Sequence, residues 1–156
     1  MAIEVIDFFD TNDEDKKYWI EEISKGQGEA NGYLAQLLQD NKLKSLCGDT
    51  TKLLLLTENH NLYSFCTIAE QDEINAPDLT PWIGFVYTFP EYRGNYYAST
   101  LVDIACDKIK EMGFNQVYIS PSTDTRELYE KLGFTRLDYT METIYGYDTF
   151  VYKKNL

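Results

Sequence analysis

Apolar and polar positions along this chain change period several times, from two residues to about 3.6 and back, and each change predicts an element. Ile3–Phe8 predicts a first strand, and Asp13–Ile23 and Gly28–Gln39 predict two helices. Lys52–Thr57, with its run Leu53-Leu54-Leu55-Leu56, reads as a buried strand. Glu58-Asn59-His60-Asn61 is a turn, and Leu62–Ala69 is the return strand of a hairpin. Glu70–Thr80 is an acidic loop containing Pro77, and Trp82–Thr88, rich in bulky β-formers, is a fourth strand.

The clearest helix follows. Ala98, Leu101, Val102, Ala105, Ile109 and Met112 form one apolar stripe, with Asn95 placed to cap its start and Gly113 to end it. Gln116–Ser120 is a short apolar strand. Asp124–Leu132 is a further helix, with capping-box spacing between Asp124 and Glu127 and a stop at Gly133. Phe134–Met141 and Thr149–Tyr152 close the chain as strands around Gly146. The predicted order is β-α-α-β-β-β-α-β-α-β-β. Three consecutive strands followed by a strand–helix–strand crossover imply an α/β fold of the α+β kind, a mixed sheet with helices on both faces.

A length of 156 residues suits a single domain over 1–156 that buries its core without disulfides or metals. Aromatic residues at 15% exclude a disordered chain. No apolar run approaches the roughly 20 residues of a membrane span. Cys47, Cys66 and Cys106 show no zinc spacing and read as free thiols. With no basic-then-apolar leader after Met1, they point to the reducing cytoplasm. A net charge of −12 offers phosphates no basic field and argues against nucleic-acid binding. It accords with cationic partners, and still better with simple solubility.

Two stretches carry chemistry. In Phe85-Val86-Tyr87-Thr88-Phe89-Pro90-Glu91-Tyr92-Arg93-Gly94-Asn95-Tyr96-Tyr97-Ala98-Ser99 a strand runs through a short turn into a helix. The first helical turn has unpaired N–H groups and the positive end of the dipole, so it can hold phosphate in an acidic protein. An ordinary strand–helix junction would look the same locally. In Leu128-Tyr129-Glu130-Lys131-Leu132-Gly133-Phe134, Leu128 and Leu132 face the core and Tyr129 lies one step round, where its hydroxyl can reach a cleft. A partly buried tyrosine with its hydroxyl at the surface is the plainer alternative.

Together the stretches resemble the GNAT acetyltransferases. The family's pyrophosphate loop, Gln/Arg-x-x-Gly-x-Gly/Ala, is matched by Arg93-Gly94-Asn95-Tyr96-Tyr97-Ala98. Its Leu-Tyr-x-Lys-x-Gly-Phe run is matched by Leu128 to Phe134, and Thr88 to Gly94 resembles its lead-in to the loop. There are two departures. Tyr96 stands where the family usually has Gly, and its ring fits only if it points away from the phosphates. Ser122 and Thr125 stand where many members have Asn and Ala.

The resemblance implies the GNAT acyl-CoA N-acyltransferase fold and acetyl transfer from acetyl-CoA, a co-substrate, to an amine acceptor. No metal, nucleic acid or membrane is implied, and a homodimer is allowed. Pantetheine lies between the ends of Trp82–Thr88 and Gln116–Ser120, the Val86 N–H polarises the acetyl carbonyl, and Thr88 pairs with pantetheine. Arg93, Gly94, Asn95, Tyr96, Tyr97, Ala98 and Ser99 hold the pyrophosphate, with Ser122 and Lys131 adding to the cofactor side. Tyr129 protonates the leaving thiolate. Glu70, Asp72 and Glu73, crowded with Asp78 in the acidic loop, are candidate bases at an acceptor side that suits a cationic amine, although a solvated acidic loop is the plainer reading of each.

His60, in a hairpin turn, reads as a surface residue, and Cys66 as a buried thiol. Trp82 and Tyr87 fit either an acceptor pocket or core. The rival classes are transfer of another acyl group or to an O-acceptor, a non-catalytic acyl-CoA-binding or regulatory domain, and a structural interaction domain.

Overall fold

The computed structural model describes residues 2–156. The elements are β1 (Glu4–Asp7), α1 (Asp13–Ser24), α2 (Glu29–Gln39), α3 (Leu43–Cys47), β2 (Lys52–Glu58), β3 (Asn61–Ala69), β4 (Trp82–Thr88), α4 (Tyr97–Glu111), β5 (Gln116–Ile119), α5 (Arg126–Lys131), β6 (Thr135–Glu142) and β7 (Asp148–Asn155). The predicted order holds with one addition. The helix α3 spans a single turn between Lys42 and Gly48, too short for an apolar period to show in the sequence.

All seven strands form one sheet in the order β1-β2-β3-β4-β5-β7-β6. Every neighbouring pair is antiparallel except β4 and β5. The leucine run explains why β2 is central. Leu54 and Leu56 face one core with Leu101, Val102, Ala105 and Ile109 of α4. Leu53 and Leu55 face the other, with Trp19 and Ile23 of α1 and Leu34 and Leu38 of α2. A strand covered on both faces needs apolar residues at every position, not every second one. The β2–β3 hairpin closes through Asn59 and His60, both with positive φ (53° and 65°), the conformation of a two-residue turn that matches strand twist.

Local signals set several helix ends. Asn12 caps α1 by accepting the Asp15 N–H at 2.8 Å, with Asp13, Glu14 and Asp15 in the first turn. Gly113, with φ 99°, follows the end of α4. Other expectations are corrected. Asn95 does not cap α4: its amide donates to the Tyr92 carbonyl, and Tyr96 occupies the cap position in a left-handed conformation. Met112 lies past the last turn and is exposed.

The helix expected over Asp124–Leu132 begins as a 3-10 turn, Thr123–Thr125, and no Asp124–Glu127 capping box forms. Strand β7 runs well beyond Thr149–Tyr152, because β5 and β6 flank it and supply hydrogen-bonding edges on both sides. Cys47, Cys66 and Cys106 are buried free thiols, and burial raises all three pKa values. Among the described residues no helix is long and apolar enough to cross a membrane.

Candidate active site

The site is built where β4 loses its neighbours. Beside β5 it pairs only at Trp82 with Tyr118, where the Tyr118 N–H donates to the Pro81 carbonyl at 3.0 Å; beyond this the two parallel strands part. On its other side, Gly84 faces Thr67 and Tyr87 faces Phe65, so Phe85 and Val86 together oppose Cys66. This is a bulge, and Phe85 takes φ 50° to make it. A phenylalanine in the left-handed region is strained at a cost of order 1–3 kcal/mol, and such strain gathers at functional sites. The bulge leaves Val86 without a cross-strand partner at the fork between strands.

A cavity of about 820 Å³ opens at that fork. Its floor is Ile83–Val86 of β4, and one wall is Ile119–Ser122 with Thr125 and Tyr129. The opposite wall brings together Glu29 and Tyr33 of α2, Asp72 and Glu73 of the acidic loop, and Tyr145 and Tyr147 of the β6–β7 turn. Backbone bonds pin that turn to the loop. The Ile144 N–H donates to the Glu73 carbonyl at 3.0 Å, the Asn75 N–H donates to the Glu142 carbonyl at 2.9 Å, and Ile74 bridges to Thr143.

A second groove, of about 310 Å³, is lined by Thr88, Tyr92, Arg93, Gly94, Tyr96, Tyr97, Ala98, Ser99 and Leu128. Strand β4 and helix α5 contribute to both spaces, with Val86 and Tyr129 in the first and Thr88 and Leu128 in the second. The first α-helical bond of α4 is Thr100 N–H to the Tyr96 carbonyl, and no side chain caps the helix. The N–H groups of Tyr97, Ala98 and Ser99 therefore remain available to an anion. Gly94, with φ 86° and open space where a side chain would be, lets backbone approach a ligand closely. Arg93 Nε donates to the Thr88 carbonyl at 2.9 Å and its guanidinium lies 5.6 Å from the centre of the Tyr87 ring, which ties the loop to the strand end. The Tyr96 side chain is 82% exposed and points outward, the orientation its departure from glycine requires.

Burial and neighbours sort the titratable groups. Tyr129 is 3% exposed, and burial raises its pKa. No described protein group hydrogen-bonds its hydroxyl, while its ring meets Phe134 edge-on. Asp72 packs its carboxyl group against Gly84, and burial pushes its pKa up to about 6. Partial desolvation, then the neighbouring Glu73 carboxylate, holds the Tyr145 phenol protonated, with the Tyr33 hydroxyl close by. Ser122 and Thr125, the two departures beside the cavity, bond each other through their hydroxyls at 3.1 Å.

Other expected members do not converge here. Glu70 turns away and accepts both the N–H and the hydroxyl of Thr50 at 2.9 Å, bonds that hold its pKa down. Two positions along the loop, Asp72 faces the cavity instead. Asp78 is exposed outside it. Lys131 is exposed on α5, pairs loosely with Glu127 at 3.7 Å and lines neither space. Asn95 serves the loop and does not line the groove.

Trp82 and Tyr87 belong to packing. The Trp82 indole donates to the Leu79 carbonyl at 2.7 Å, and the Tyr87 hydroxyl accepts the Gln27 N–H at 2.8 Å. His60 is exposed and stacked on Tyr18, with ring centres 4.2 Å apart. Sequence reasoning missed Glu29, Tyr33, Tyr145 and Tyr147. The Tyr145-Gly146-Tyr147 pair around a turn was the one available signal, and nothing local placed it near Asp72.

The profile of the acetyltransferase (GNAT) family matches residues 13–134. No curated protein matches the sequence. Among solved structures, PaiA N-acetyltransferase from Thermoplasma acidophilum, in complex with coenzyme A, is 18% identical over 100% of both chains, with a TM-score of 0.67. An aminoglycoside 6'-N-acetyltransferase, also complexed with coenzyme A, is 13% identical over 99% of this chain and 97% of its own, with a TM-score of 0.68. A GNAT acetyltransferase from Staphylococcus aureus Mu50 is 17% identical over 99% of each chain, with a TM-score of 0.67. The parted strands, the bulge beside them and the uncapped helix start thus occur in a chain whose sequence matches one family over most of its length and whose fold its structures share, and the chain belongs to the GNAT family of acetyltransferases, which are acyltransferases.

Proposed function

We propose that this chain transfers the acetyl group of acetyl-CoA to a primary amine by direct attack, with residues 1–156 working as one domain. The observation that carries the reading is the bulge at Phe85–Val86, which sets an unpartnered backbone position in the same cavity as Tyr129 and Asp72. The residues present fit the co-substrate. The fork between β4 and β5 offers unpaired strand edges for the pantetheine amides, and the groove at Arg93–Ser99 offers the α4 N–H groups for the pyrophosphate. Coenzyme A in the two similar structures supports this fit.

Acetyl-CoA supplies an activated carbonyl: the amine nitrogen forms a C–N bond to it, the C–S bond breaks, and the products are an amide and the CoA thiol. Each protein group then has one task. The Val86 N–H donates to the carbonyl oxygen as negative charge develops there. Asp72, directly or through a water, takes the proton the amine loses, and a carboxyl with a pKa near 6 is a better base than an ordinary aspartate. Tyr129 gives its proton to the departing sulfur; burial keeps that phenol protonated until needed, and its hydroxyl has no competing protein partner among the described residues. Tyr33, Tyr145 and Tyr147 wall the acceptor end and offer it aromatic surface.

The test is direct. Acetyl-CoA is mixed with the protein and a panel of primary amines, and free CoA thiol is measured alongside thermal stability. The reading expects stabilisation by acetyl-CoA alone and thiol release dependent on both protein and amine. Absence of any thermal shift at millimolar acetyl-CoA would remove its basis.

A further inference from the structure

Among the described residues three carboxylates line the large cavity, Glu29, Asp72 and Glu73, and no lysine, arginine or histidine does. They fall into two places. Asp72 lies where the opposite wall meets the floor at Gly84, beside Thr67 Oγ1, which is buried without a hydrogen-bond partner among the described residues. Both groups face the space that a side chain at position 84 would fill: a Cβ there would stand 3.1 Å from Thr67 Oγ1 and 3.3 Å from Asp72 Oδ1. Glu29 and Glu73 lie with the tyrosines of the opposite wall. There the Tyr145 hydroxyl neighbours the Glu73 carboxylate and the Tyr33 hydroxyl. Tyr33, Tyr145 and Tyr147 are 40%, 57% and 60% exposed, large aromatic surface left open around one cavity. The turn bearing Tyr145 and Tyr147 is held through the Ile144–Glu73 backbone bond, so these rings form a wall and not a free loop tip.

Resting on the acetyltransferase reading above, we propose that the acceptor is an alkylamine with a second positive charge: its reacting nitrogen lies over Gly84 beside Asp72, and its other cationic group lies among Glu73, Tyr33 and Tyr145. One ammonium at Asp72 leaves the other two carboxylates of the cavity, Glu29 and Glu73, without a countercharge. An amino acid brings a carboxylate that no cation in the cavity receives. A second ammonium gains both a carboxylate and aromatic faces, and cations are drawn to such faces. The far end keeps its charge throughout, while the near ammonium loses one proton to solvent before attack and a second to Asp72 as the amide forms, with Tyr129 protonating the sulfur. After one transfer to a symmetric diamine, a second transfer would place the neutral amide against Glu73, so the enzyme stops at the monoacetyl product.

The experiment compares α,ω-diamines of four and five carbons with n-alkylamines of the same length, using thiol release and mass analysis of the product. The expected result is a kcat/KM at least about tenfold higher for the diamines, a monoacetylated product, and a diamine-to-monoamine ratio that falls toward one in the variant Glu29→Gln with Glu73→Gln. Equal use of the two series by the wild-type protein overturns the proposal, as does an unchanged ratio in the variant. If the variant does not fold, the wild-type salt series decides: KM for the diamine must rise with ionic strength more steeply than KM for the monoamine, and equal slopes overturn the proposal. Thermal stabilisation by acetyl-CoA with no thiol release from either series overturns this acceptor proposal, whereas the transferase reading falls only if the wider panel of primary amines also releases no thiol.

Discussion

The Asp72 carboxyl group sits against the bare Cα of Gly84, so close that a methyl group on residue 84 would stand 3.3 Å from Oδ1. The backbone at Gly84 is ordinary strand, so glycine is present here for space and not for conformation. Gly84→Ala should therefore displace the carboxyl group. The expected result is a fall in kcat/KM for the amine of about tenfold or more, since small misplacements of a reacting group are costly, with acetyl-CoA binding retained. Steady-state kinetics with a thermal-shift titration of acetyl-CoA check this.

A base with a pKa near 6 must be ionised to work, so kcat/KM should rise as pH passes upward through about 6, and Asp72→Asn should abolish that rise. The stability effect has the opposite sign. The folded state holds this proton more tightly than the unfolded chain does, so stability contributed by the group is full below the usual 3.8 and is lost as pH climbs to about 6. Asp72→Asn should therefore stabilise the protein at pH 7, by at most about 3 kcal/mol, and not at pH 3. Melting temperatures of both proteins across pH provide the check.

Tyr129→Phe removes a hydroxyl that no described protein group engages and keeps the ring against Phe134. Stability and acetyl-CoA affinity should stay near wild type, while kcat falls by about 10²–10⁴. Wild-type turnover in this variant would mean that water or another group protonates the thiolate.

Tyr96 holds a left-handed cap position, with φ 61° and its ring in solvent. A non-glycine residue there is disfavoured by about 1 kcal/mol. Tyr96→Gly relieves that strain and leaves every backbone donor of the loop in place. The expected outcome is unchanged or slightly higher stability with acetyl-CoA binding equal or tighter, read by calorimetry. A loss of binding would show that the ring itself touches the cofactor.

Glu70 bonds the Thr50 backbone and hydroxyl and takes no part in the cavity. Glu70→Ala should destabilise by about 1 kcal/mol and leave KM for the amine unchanged. Its pKa is held down by those bonds, so the stabilisation is present at neutral pH and is lost as pH falls through the lowered value. The difference in melting temperature between variant and wild type should shrink in acid.

The sequence by itself determined the parts whose cause is local. The central stripe of α4, Leu101, Val102, Ala105 and Ile109, and the leucine run of β2 follow from side-chain period and burial and lie where they were expected, whereas Met112 at the end of the stripe does not. The strand–turn–helix passage through Arg93-Gly94 was legible because backbone donors at a helix start depend on the helix alone. Tyr129 departs from the expected facing: it is the buried residue of α5, while Leu128, expected in the core, is half-buried and lines the second groove.

Tertiary structure alone decided the rest. The bulge at Phe85–Val86 depends on how β3 sets its register against β4, which nothing within Trp82–Thr88 encodes. Glu70 and Asp72 look alike in a polar loop, yet one meets Thr50 and the other Gly84, because their neighbours come from distant segments. Tyr33, Glu73 and Tyr145 meet only when α2, the β3–β4 loop and the β6–β7 turn close over one sheet. Period, propensity and capping act over a few residues, whereas a cavity wall is made by burial and strand pairing, which join residues far apart in the chain.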